Sequence, residues 1–166
     1  MWRLAVLAVL AVGVSACGGG AKPLGETARP CLAKLGQYVH HHPEKGLPSD
    51  PTPRLPLVDP DNPPVSGQTP KRLAWPDDFE EYGEVLYPPT NPGANAVQVF
   101  IFGDEELATR IMDTVRTAER NQPFFTGVTL FGRDPGRLFV RVGQSLVQWS
   151  SKPSARQRTT VRDCLT

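Results

Sequence analysis

The stretch NAVQVFIFGDEELATRIMDTVRTAER, Asn95 to Arg120, decides the fold. Its run from Ala96 to Phe102 is unbroken apolar but for Gln98 and is rich in β-branched and aromatic residues, so it predicts a strand buried on both faces. Gly103-Asp104 turns that strand into a helix. Asp104 suits the N-cap, Glu105 and Glu106 put negative charge in the first turn, and Arg116 and Arg120 put positive charge in the last. Leu107, Ile111, Val115 and Ala118 recur at helical spacing, so one stripe of this helix must pack on the sheet that holds the strand.

Toward the C terminus, Gly127 to Phe131 predicts a second strand, Arg133-Asp134-Pro135-Gly136 a turn, and Arg137 to Val142 a third strand. Val142-Gly143-Gln144-Ser145 offers a two-residue hairpin with glycine first, the type II′ preference, leading into Leu146 to Ser150. Ser154 and Gln157 form a capping box for a last helix whose buried stripe is Val161, Cys164 and Leu165.

Toward the N terminus, Ala28 to Gly36 predicts a short helix with Pro30 in its first turn and Gly36 as a left-handed cap. Tyr38 to His42 then predicts a short strand. From Pro43 to Gly93 the chain carries 13 of its 18 prolines, a spacing that excludes long regular elements and predicts a surface excursion. Within it, Trp75 to Tyr87 is expected as a short amphipathic helix, with Phe79, Tyr82 and Leu86 on one side.

The fold expected is α+β. A mostly antiparallel sheet of roughly three to five strands carries the central and C-terminal helices on one face. The arrangement is ferredoxin-like or a related sandwich, with the excursion wrapped around an edge.

The first residues carry a different signal. Met1-Trp2-Arg3 supplies a positive charge, Leu4 to Val14 is mostly apolar, and small residues follow, the layout of a secretory signal peptide. The apolar segment is short against the roughly 20 residues a bilayer core requires. Val14-Ser15-Ala16-Cys17 resembles the bacterial lipobox. That resemblance implies cleavage after Ala16 and lipid on Cys17, and hence an extracytoplasmic, membrane-anchored protein. The organisation expected is a signal at 1–16, a tether at 17–27 and one domain at 28–166, with the excursion at 43–93. Of three cysteines, Cys31 and Cys164 remain, an even pair that in an exported protein most simply forms one disulfide, the alternative being two buried thiols.

Eighteen Lys and Arg against 17 Asp and Glu give a net charge of +1, which points neither to nucleic acid nor to electrostatic membrane binding. His40, His41 and His42, followed by Glu44, are the only histidines. On a strand His40 and His42 share a face and could share a ligand, whereas His41 points away. No helical His pair accompanies them, and a solvated, pH-sensitive patch is the preferred reading. The acidic residues Asp77, Asp78, Glu80, Glu81 and Glu84, interleaved with Trp75, Phe79 and Tyr82, have a bland reading as the outer face of the expected helix and a sharper one as paired carboxylates for hydrolysis. No serine sits in a nucleophile elbow and the glycines make no phosphate loop.

Gly143 to Leu165 resembles the C-terminal part of small actinobacterial envelope lipoproteins. In that resemblance Cys31-Leu32 and Cys164-Leu165 pair in pattern. Val97-Gln98-Val99 and Phe139-Val140-Arg141-Val142-Gly143 are similar to the strand signatures of the sporulation-related (SPOR) repeat, a peptidoglycan-binding domain, although Phe100-Ile101 and the continued strand after Gln144 depart from it. The function expected is a non-enzymatic binding or structural role at the envelope with a protein or glycan partner and no cofactor. Trp75, Phe79 and Tyr82 are the expected contact residues. The alternative is a metal-dependent or carboxylate-based hydrolase using His40, His42 and Glu44 or the Asp77 to Glu84 cluster.

Overall fold

The run read as a strand buried on both faces is one: Ala96–Phe102 has six of its seven residues buried, Gln98 being the exception. The computed structural model describes residues 23–62, 65, 68, 71–87, 96–121 and 139–166. Among these the chain forms α1 (Leu24–Leu32), β1 (Gln37–His40), β2 (Arg54–Val58), β3 (Arg72–Ala74) and β4 (Phe79–Leu86). It continues through β5 (Ala96–Phe102), α2 (Glu105–Asn121), β6 (Phe139–Val142), β7 (Ser145–Trp149) and α3 (Ala155–Cys164). Five strands form an antiparallel sheet in the order β1-β4-β5-β7-β6, and β2 pairs with β3 in a separate antiparallel sheet. The class is α+β, as expected.

Successive strand residues point to opposite faces, so β5 feeds two cores. Val97, Val99 and Ile101 join Val147, Trp149, Ala28, Leu32, Val161 and Leu165 on the side of α1 and α3. Phe100 and Phe102 join Leu146, Phe139, Ala108, Ile111 and Met112 on the side of α2, together with Leu55, Leu57 and Leu73 of the β2–β3 sheet. The two main helices therefore lie on opposite faces, not on the one face expected. Both faces of β5 are apolar, and leaving either uncovered would cost about 1.5–3 kcal/mol for each large side chain.

The proline-rich excursion also departs from expectation. Instead of wrapping an edge it covers the second core with β2 and β3 and inserts β4 into the main sheet beside β5. Pro56 has no N–H to donate, and the β2–β3 pairing is irregular across it, from Arg54↔Ala74 to Val58↔Arg72. The segment expected as a helix from Trp75 to Tyr87 holds β4, whose burial alternates strictly with period two.

Local signals elsewhere act as read. The Asp104 carboxylate accepts from the Glu106 N–H at 2.7 Å at the start of α2. Ser154 and Gln157 complete the capping box of α3. Val142 pairs with Ser145 across a two-residue turn in which Gly143 has φ +54° and no non-glycine has positive φ among the described residues, consistent with type II′. Cys31 and Cys164 are disulfide-bonded with Cα atoms 5.5 Å apart, tying α1 to α3.

α1 starts at Leu24, inside the expected tether, and Pro30 lies well within it. Gly36 is not left-handed; a Cβ there would meet the Leu86 carbonyl oxygen at 2.2 Å, so the glycine serves close backbone approach to the end of β4. The signal at 1–16, Cys17, and the expected strand and turn between Gly127 and Gly136 lie outside the described residues, as does the side chain of Ala118.

Candidate functional site around Glu81

β4 carries a bulge at its start. Phe79 pairs with Phe102 but Glu81 with Ile101, so Glu80 is an extra residue. That single insertion sends Phe79 to the α2 side and Glu81 to the α1 side. Glu81 is completely buried there.

Four donors reach its carboxylate. Arg29 of α1 donates from Nε to Oε2 at 2.8 Å and from Nη2 to the same oxygen. Tyr38 and His40, two apart on β1 and so on one face, reach Oε1: the phenol donates at 2.9 Å and His40 Nδ1 lies at 2.5 Å. An ionised carboxylate offers about four acceptor positions, and all are taken. Because that carboxylate accepts, Nδ1 is the donating nitrogen, and Nε2 is the ring nitrogen without a partner among the described residues.

The electrostatics agree with the geometry. The hydrogen bond to Glu81 raises the Arg29 pKa. Burial, then the hydrogen bond to Glu81, pushes the Tyr38 phenol far above its ordinary range, so it stays a donor. Two glycines make room: a Cβ on Gly83 would fall 1.9 Å from the Tyr38 hydroxyl, and one on Gly25 would fall 3.1 Å from Glu81 Cβ. Gly25 N–H also donates to Glu80 at 3.1 Å, and the Gln144 amide lies 3.3 Å from the same carboxylate.

His42 lies beside His40, ring edge to face with centroids 4.7 Å apart. His41 points the other way, stacking on Tyr82 at 4.5 Å with Nε2 3.5 Å from Glu84, and Tyr82 in turn stacks on Phe100 at 4.7 Å. Burial, then the Glu84 and Glu44 charges, pushes the Tyr82 phenol up to about 12, with Arg72 opposing.

The candidate residues are thus redistributed. Phe79 is buried in the second core, and Trp75 and Tyr82 pack half-buried against it, so these three line a core and do not form an exposed aromatic patch. The acidic cluster divides: Asp77 and Asp78 are exposed, Glu81 faces α1, and Glu84 faces His41. Glu44 bridges to Arg54 and lines an open groove of about 650 Å³ with Lys45, Asp50, Arg54, Lys71 and Arg72. There Arg54 pairs with Asp50 and lowers the pKa of its carboxyl. A shallower hollow of about 430 Å³ lies between α2 and β6. Among the described residues no three His, Cys, Asp or Glu side chains converge as metal ligands.

Sequence reasoning missed Arg29 and Tyr38 as partners and placed Glu81 on an outer face. The available signal was period two: Tyr38-x-His40 lies opposite Gly83-x-Val85, and Glu81 is the next residue of that same alternation on β4.

The chain matches no protein-family model, no curated protein and no solved structure.

Proposed function

We propose that this chain is a cell-envelope lipoprotein, held at the membrane by lipid on Cys17, whose domain performs a binding or structural role without catalysis. The observation that carries the second half is the state of Glu81. A catalytic carboxylate must present an oxygen to substrate or water, and here both oxygens are committed to Arg29, Tyr38 and His40 in a buried position. The remaining carboxylates of the expected hydrolytic cluster are dispersed over both faces of the sheet.

The compartment is supported by the disulfide, which persists in oxidising surroundings, and by the sequence Val14-Ser15-Ala16-Cys17 after a short apolar segment. No helix among the described residues is long and apolar enough to cross a membrane. Acyl chains contribute about 0.8 kcal/mol per buried methylene, so two or three chains suffice for stable anchoring.

Replacement of Cys17 by Ala tests the anchor. Radiolabelled palmitate should enter the unaltered protein and not the C17A variant, and the variant should leave the membrane fraction. Equal labelling of the two would exclude Cys17 as the lipid site.

A further inference from the structure

We infer that His40 and His42 form a surface site for one borderline divalent cation, copper(II), nickel(II) or zinc(II), with Glu81 as the group that orients His40. Metal-binding imidazoles characteristically donate their second ring nitrogen to a carboxylate, which fixes the tautomer, aims the lone pair and raises its basicity. His40 has that arrangement before any metal arrives. Its Nδ1 is held 2.5 Å from a buried carboxylate that Arg29 and Tyr38 keep in place. Its Nε2, on a half-exposed ring, is taken by no described residue.

The second ligand is already alongside. His42 is exposed and its ring stands edge to face against His40 at 4.7 Å. Two imidazoles side by side offer a nitrogen chelate, suited to copper, nickel and zinc and unsuited to magnesium or calcium, which require oxygen ligands. Since no third His, Cys, Asp or Glu converges here among the described residues, water completes the coordination sphere. The cation is therefore exchangeable and open to an outside ligand. His41 contributes nothing, because it stacks on Tyr82 across the sheet.

This goes beyond the binding role proposed above by naming the ligand class. It does not depend on the lipid anchor, so failure of the anchor test leaves it standing and the reverse holds too.

The test uses the full chain, purified in detergent and stripped with a chelator. It is titrated with copper(II), nickel(II) and zinc(II) by calorimetry at pH 7.5, with metal content checked after dialysis. One ion should bind per chain. His42→Ala, at an exposed position, should weaken binding about tenfold or more, and His40→Ala likewise. His41→Phe, which keeps the stack on Tyr82, should change affinity less than about twofold. Glu81→Gln should weaken binding by about 10–100-fold in protein shown by circular dichroism to be folded. Absence of binding, an equal loss in the His41 variant, or unchanged affinity in His42→Ala would each overturn the assignment. Should the Glu81 variant not fold, the contrast between the His42 and His41 variants still decides it.

Discussion

Glu81 shows what one buried charge demands of its surroundings. A carboxylate without water must find donors for both oxygens, and each charge-assisted hydrogen bond contributes roughly 1.5–3 kcal/mol while a missing one exposes the desolvation cost of the group. Arg29, Tyr38 and His40 meet that demand from two elements, and Gly83 leaves the space through which the Tyr38 ring passes. Gly83→Ala should therefore be harmful out of proportion to one methyl group. The new Cβ displaces the phenol, removing a donor from a buried charge, and the expected loss is about 2 kcal/mol or more. Urea denaturation of the variant measures it. In a Tyr38→Ala background the same change should be nearly neutral, and a full loss there would show that the phenol is not the obstacle.

At the level of elements, caps and tight turns carried most of the sequence's legible information. The Asp104 cap, the Gly143 turn and the Ser154–Gln157 box each depend on residues within four positions of one another, and each forms as read. Ser154→Ala should accordingly cost about 1 kcal/mol of stability, with no change in the circular dichroism of the folded state. A loss below about 0.3 kcal/mol would mean that tertiary packing alone holds α3. β4 was illegible for a stated reason. Its α1-facing set is Glu81, Gly83 and Val85, of which only one is apolar, so no hydrophobic alternation is visible. Phe79, Tyr82 and Leu86 meanwhile fall at helical spacing by coincidence, and the bulge at Glu80 breaks the face count. The site was half legible. Period two placed His40 with His42 and apart from His41, but the carboxylate came from a strand whose existence and register depend on pairing about 40 residues away, with His40 opposite Gly83.

The described residues form a five-stranded sheet between two cores, with β5 as the wall common to both and the β2–β3 sheet over the second. Its layers are held at one side by a covalent bond spanning 133 positions. Closing a loop of that length removes denatured-state entropy equivalent to about 5 kcal/mol, an upper value where the unfolded chain keeps structure. Replacing Cys31 and Cys164 together by Ser should thus lower the urea midpoint substantially while leaving the folded spectrum intact. A change under about 1 kcal/mol would assign the stability to the two cores and not to the bridge. The bond also sets how the domain carries mechanical load. Tension applied between residues 23 and 166 enters through α1, crosses from Cys31 to Cys164 and leaves through Leu165 and Thr166, so the sheet and α3, which lie within the closed loop, bear none of it. With the bridge closed, such a pull passes the domain without unravelling it. With it reduced, the same pull loads every strand and could lengthen the molecule by roughly 450 Å, the extended span of the 133 positions the bond had shielded.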